Sequence, residues 1–172
     1  MTSRTKMFAD YNAWANGRIY AAAAQLPESD YKADRGAFFK SLHGTLNHLL
    51  SADRIWMKRF TGSGDAPSVL DAILYDTLPE LWAARQSEDQ RIQAFAAELD
   101  DAALGRRVRY STITNPARVE QDLGPALDHF FNHQTHHRGQ AHVILTGLGR
   151  EAPSLDMVLF HRSTGYGGTV RL

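Results

Sequence analysis

Cysteine is absent from this 172-residue sequence. That excludes a disulfide scaffold, a thiolate zinc site, an iron–sulfur cluster and a cysteine nucleophile. Neither sign of charge predominates: 19 Lys and Arg face 19 Asp and Glu, and the formal net charge is zero. The basic footprint of a nucleic-acid-binding protein is therefore missing, as is any aromatic–basic stripe, and no nucleic-acid partner is expected. No apolar run reaches the ~18 residues of a membrane helix, and Met1 to Asp10 lacks the apolar stretch of a signal peptide. The expectation is a soluble, cytoplasmic protein with no membrane partner. Internal repeats and low-complexity blocks are missing too. A chain of this length reads as a single domain over 1–172, large enough to fold without a metal or a disulfide.

Four long stretches carry the period of an amphipathic helix. Phe8, Tyr11, Ala15, Ile19 and Ala22 predict a helix from about Thr5 to Leu26, ended by Pro27. Polar residues from Pro27 to Arg35 read as a loop. Leu42, Leu46, Leu49, Leu50, Trp56 and Phe60 predict a second helix from about Phe38 to Phe60, stopped by Thr61-Gly62-Ser63-Gly64. Asp65 to Asp76 is partly apolar and has room for a short helical turn. Thr77-Leu78-Pro79-Glu80 fits a capping box with proline in the first turn, so a third helix starts there and runs to about Leu99. The period then changes. Val108, Tyr110, Thr112 and Val119 predict two short strands about Asn115-Pro116. A fourth helix follows from about Pro125 to Thr146, with Gly147 and Gly149 as stop signals. Ser154 is placed to cap a short last helix, Leu155 to Phe160, and Gly165 to Leu172 reads as a tail. The sum is an all-α four-helix bundle with a small β-hairpin between the third and fourth long helices and a short C-terminal helix.

Histidine is the residue type in excess. There are eight, and four of them fall within 129–137, where an even spread would put fewer than one. His133 and His137 are four apart, so they share one helix face with Cβ atoms ~5–6 Å apart. Phe130, Ala141, Ile144 and Leu148 lie on that face, which turns the pair into the bundle. Two neutral imidazoles buried side by side need partners. One divalent ion satisfies both, at ~2.0–2.1 Å from each ring nitrogen for zinc. His129 is ~12 Å along the axis from His137, too far to share that ion. A third ligand must then come from another helix. The second helix offers His43 and His48. Gly44, Thr45, Ser51 and Ala52 surround His48 and leave room for an ion, whereas His43 shares its face with Asn47 and Arg54, a combination that reads as solvated. His48 is the better choice. Each histidine alone reads as an ordinary core or surface residue before it reads as a ligand, and their concentration is what points to a metal.

The run His133-Gln134-Thr135-His136-His137-Arg138-Gly139-Gln140, preceded by Phe131-Asn132, resembles the signature of the DinB/YfiT-like family, the DNA-damage-inducible family of metal-dependent bundle proteins. Tyr11-Asn12-Ala13-Trp14-Ala15-Asn16 resembles the family's first helix. Leu46-Asn47-His48-Leu49-Leu50, with Asp53 and Trp56 after it, resembles the second, and Leu148-Gly149 and Pro153-Ser154-Leu155-Asp156 resemble its end. The resemblance implies a four-helix bundle, usually a homodimer. It also implies one divalent ion per chain held by one histidine of the second helix and two of the fourth, which here fall on His48, His133 and His137. Family activities include low-molecular-weight-thiol S-transferases and a thiol-dependent isomerase.

Three histidines with coordination positions left open is the pattern of a catalytic site, since structural zinc sites are closed by four protein ligands. Such an ion lowers the pKa of a bound water or deprotonates a thiol. A thiol transferase and a hydrolase on a small molecule would share these ligands, and neighbouring residues decide between them. Gln140 is placed to bond a ring N–H of His137, and Asp53 to orient His48. His129 is placed at the mouth of a pocket. His136 lies ~100° off the ligand face, better suited to packing or an interface than to the site. Gly139 costs a helix ~1 kcal/mol against alanine and reads as a point of close packing against another helix or across a dimer. Arg138 reads as an ion-pair or interface residue. Tyr11, Trp14, Trp56 and Trp82 read as core. Imidazole suits Zn, Cu, Fe and Ni alike, with Zn or Ni favoured. The competing function is a non-catalytic, metal-binding stress-response dimer. A cavity beside the ion favours the enzyme, and a sealed ion favours the alternative.

Overall fold

Residues 4–170 are described by a computed structural model. In chain order the elements are α1 (Arg4–Ala23), α2 (Glu28–Lys32), α3 (Leu42–Thr61), α4 (Leu78–Glu98), β1 (Arg107–Ser111), β2 (Arg118–Asp122), α5 (Leu123–Gly147) and α6 (Met157–Thr164). The four long helices form the expected bundle. α1 packs against α4 and α5, and α3 packs against the same two. Helices α1 and α3 therefore stand at opposite corners. The long connections before α3 and α5 are what allow this order.

Local chemistry sets the ends of these helices. Ser41 is extended, and its hydroxyl accepts the Gly44 N–H at 3.0 Å, so α3 starts at Leu42 rather than near Phe38. The preceding residues make a tight turn with Lys40 at φ 66° and a bridge between Ala37 and Lys40. This turn brings the Phe39 carbonyl against Gly44, where any Cβ would collide with it. Gly62, at φ 74°, closes the other end of α3. Thr77 caps α4 through the Glu80 N–H, and the Glu80 carboxylate accepts from the Thr77 hydroxyl at 2.6 Å. The hairpin pairs Val108 with Gln121 and Tyr110 with Val119, burying Val108, and Asn115 in the turn takes φ 53°.

Three local expectations are corrected. Glu28–Lys32 is a short helix, not loop, entered from the extended Pro27. Asp65 to Asp76 holds no helix, because its backbone is held by α3 side chains instead: the Asn47 amide oxygen accepts the N–H groups of Leu74 and Tyr75 at 2.8 and 3.1 Å. The last helix begins at Met157, since the Leu155 carbonyl accepts from the Tyr11 hydroxyl at 2.7 Å and stays outside it. Within the expected tail, Tyr166–Gly168 form a 3-10 turn and Tyr166 packs on Phe160, while residues 171 and 172 lie outside the described ones.

The apolar core falls into two main clusters. One gathers Trp56, Met57, Phe60, Ile92, Phe130 and Phe131, and the other Ile19, Tyr20, Leu42, Leu46, Leu81 and Leu145. Between them a layer of polar side chains crosses all four long helices. Arg85 pairs with Asp53 at 2.6 Å and with Asp89 at 3.0 Å. Asn16 donates to Asp89 at 2.9 Å. Arg138 donates to Asn12 and Asn16, and Gln134 donates to Asp53 and closes the ring. All these groups are buried. The Arg85 guanidinium thus meets two carboxyl groups away from water, while Arg138 is held by amide oxygens, and these direct partners offset part of the cost of burying both charges.

Candidate metal centre

The neighbouring helices α3 and α5 bring three imidazoles together. The Nε2 atom of His48 lies 3.2 Å from Nε2 of His137 and 3.4 Å from Nε2 of His133. His48 and His137 are buried and His133 is partly so. The ring orientations are fixed from behind. The Nδ1–H of His48 donates to the Leu70 carbonyl at 2.7 Å, and the Nδ1–H of His137 donates to the Gln140 amide oxygen at 2.8 Å. Each ring then carries its proton on Nδ1 and presents an Nε2 lone pair to the other. Two lone pairs at 3.2 Å repel unless a cation lies between them. Nitrogen atoms bound tetrahedrally to one zinc at ~2.0–2.1 Å stand roughly 3.3–3.4 Å apart. The donor set and its spacing therefore fit a divalent ion.

Burial keeps these rings neutral. It pulls His48 down to about 4, against the pull of the Leu70 carbonyl, and His133 down to about 3, with the neighbouring imidazoles adding to the effect. His137 is lowered by the same cause. Neutral imidazole is the form that ligates metal, so no proton must leave at neutral pH.

The surroundings are asymmetric. Phe39 stacks on His48 with ring centroids 3.8 Å apart and meets His137 edge-on at 5.6 Å. Its place follows from the Gly44 contact. Elsewhere His48 and His133 line a cavity of about 270 Å³, walled by α3, α5 and the hairpin through Trp56, Tyr110 and His129. The trio is thus covered by one aromatic ring yet reaches open space.

The other residues singled out from the sequence are placed as follows. Gln140 bonds His137, as described, and its amide nitrogen lies 3.2 Å from Nε2 of the exposed His136. His129 sits at the cavity rim, 5.1 Å from the Trp56 ring. Asp53 does not orient His48. It is fully buried in the polar layer, where loss of water pushes its carboxyl up to about 7 against the pull of Arg85. His43 is not solvated: it is buried, with Nε2 3.0 Å from the Tyr75 carbonyl and Tyr31 against its ring. Arg138 is likewise buried, under Tyr11 and among the amides of the polar layer. At Gly139 a Cβ would meet nothing, so among the described residues no helix packs closely there.

Sequence reasoning missed Phe39, the Leu70 carbonyl and the polar layer. The first two leave no periodic signal. The layer does: Asn12 and Asn16, Arg85 and Asp89, and Gln134 and Arg138 are each polar pairs four residues apart interrupting an apolar stripe.

The profile of the DinB family matches residues 1–169. Protein DinB of Bacillus subtilis (strain 168) is 26% identical over 167 residues, covering 88% of this chain and 90% of the relative.

Proposed function

This chain belongs to the DinB family, and from that premise we propose that it is a metal-dependent enzyme acting on a small molecule, its divalent ion held by His48, His133 and His137. The observation that carries the reading is the pair of Nε2 lone pairs turned on each other at 3.2 Å by the Leu70 and Gln140 acceptors behind them. A bound Zn or Ni ion supplies a Lewis acid that lowers the pKa of a water or thiol brought to it. The residues of the chain do the rest. Leu70 and Gln140 hold the rings, Phe39 keeps water from one side of them, and the cavity beside His133 admits a substrate. That cavity supports an enzyme over a non-catalytic, metal-binding stress-response dimer. The reaction class is thiol S-transfer, with a low-molecular-weight thiol as cosubstrate, or hydrolysis. In the same proposal the chain is one domain and works as a cytoplasmic homodimer. The open space at Gly139 and the exposed Val143 one turn on support a dimer face on α5.

The test is elemental analysis of untagged protein purified without a nickel column, followed by assay with electrophiles and several small thiols. About one Zn or Ni per chain is expected, and His48→Ala, His133→Ala and His137→Ala should each lose it. Full occupancy in His133→Ala, or a wild-type protein that takes up no ion, would overturn the ligand assignment.

A further inference from the structure

The cavity beside the three histidines carries a charge that no carboxylate among the described residues neutralises. Arg59, half-buried on α3, lies with its guanidinium 4.3 Å from the Tyr110 ring centroid and 4.5 Å from that of Trp56. One of its donors reaches the Ser111 carbonyl at 3.1 Å. Arg35, Arg85, Arg91, Arg107 and Arg109 all pair with carboxylates. Arg59 pairs with none among the described residues, and no Asp or Glu lines the cavity. A guanidinium has five N–H donors in a planar fork matched to a carboxylate. Held between two aromatic faces, it loses little freedom on meeting one. In a chain of zero net charge, a pocket with a fixed cation and no acid is a local departure that selects for anions.

We infer that this cavity binds a small carboxylic acid with a flat apolar body, its carboxylate on Arg59, its body along Trp56 and Tyr110, and its far end toward His48 and His133. The volume of about 270 Å³ is below the ~300–1,000 Å³ of sites for drug-sized ligands, which limits the guest to a small molecule. The inference rests on the proposed function only for what happens at the far end. Binding of the acid stands on the arginine, the aromatic walls and the missing acid.

Phenylacetate and phenylacetamide make a matched probe pair differing in charge. Each is titrated into the full chain, zinc-loaded and chelator-treated, with the Trp56 indole N–H signal followed by NMR. Phenylacetate should move that signal in both forms, and phenylacetamide should bind about tenfold more weakly or worse. Arg59→Gln should weaken phenylacetate by about the same factor and leave phenylacetamide unchanged, while Arg59→Lys, which keeps the charge, should retain most of the binding. Equal binding of acid and amide overturns the proposal, as does an undiminished response in Arg59→Gln. Binding that vanishes with the zinc yet survives Arg59→Gln places the carboxylate on the ion and overturns it too. Zinc uptake is measured separately, so a failure of the metal assignment is distinguishable from a failure here.

Discussion

Replacing Gln140 by leucine isolates one hydrogen bond of the metal centre. The Gln140 amide oxygen accepts the Nδ1–H of His137 at 2.8 Å from one helical turn away. Leucine keeps a similar bulk and helix propensity but offers no acceptor. Two things follow. The ring loses the contact that fixes its rotation, and its proton is no longer held on Nδ1, so the tautomer with Nε2 blocked becomes populated. Loss of such an outer partner typically costs 10–100-fold in metal affinity, or about 1.4–2.8 kcal/mol at 1.4 kcal/mol per decade. Competition against a chromophoric zinc chelator at pH 7.5 measures this directly, and circular dichroism confirms that the helices are retained. Gln140→Glu provides the opposite perturbation: a carboxylate accepts the same N–H more strongly and raises the basicity of the ring, so affinity should hold or rise. Zinc affinity in Gln140→Leu within twofold of the parent would show that His137 is not held this way, and the tautomer argument would fail with it.

Arg85→Met strands the buried Asp53 carboxyl, whose partner lies 2.6 Å away. Removing one member of such a pair costs about 3–5 kcal/mol, which at ~2–4 °C per kcal/mol lowers Tm by roughly 6–20 °C; a calorimetric shift below about 2 °C would contradict the role given to the layer. The metal-free protein should lose stability in acid. His48 and His133 are lowered from 6.5 to about 4 and about 3, so the unfolded chain takes up protons that the folded one refuses. That contribution is fully present above pH 6.5 and is lost as the pH falls toward 3, and urea midpoints measured from pH 7 to 4 should decline accordingly. His43→Ala should keep its metal while losing about 2 kcal/mol or more of stability from the emptied site beside Tyr31; loss of the ion instead would mean that the wrong histidine of α3 was chosen.

The four long helices, the hairpin and the His133–His137 pair were legible because each rests on local spacing. A stripe at 3.6 residues, a Thr-x-x-Glu cap and a His-x-x-x-His pair are visible within one or two turns. His43 was misread for the same reason. Its own helix face, with Asn47 and Arg54, looks solvated, and only the return of the chain through Leu74 and Tyr75 buries it. Asp53 was misassigned because spacing gave its distance along the helix from His48 but not the presence of Arg85 across the bundle.

By itself the sequence determined the four long helices, the apolar stripes that turn inward and the shared side of His133 and His137, since these depend on neighbours a few positions apart. Tertiary structure alone decided that His48 meets His133 and His137 across two helices, and that Leu70 and Gln140 set their tautomers. It also decided that Arg59 faces a cavity without an acid. These are contacts between segments far apart in the chain, fixed by how the helices pack, and no local period encodes them.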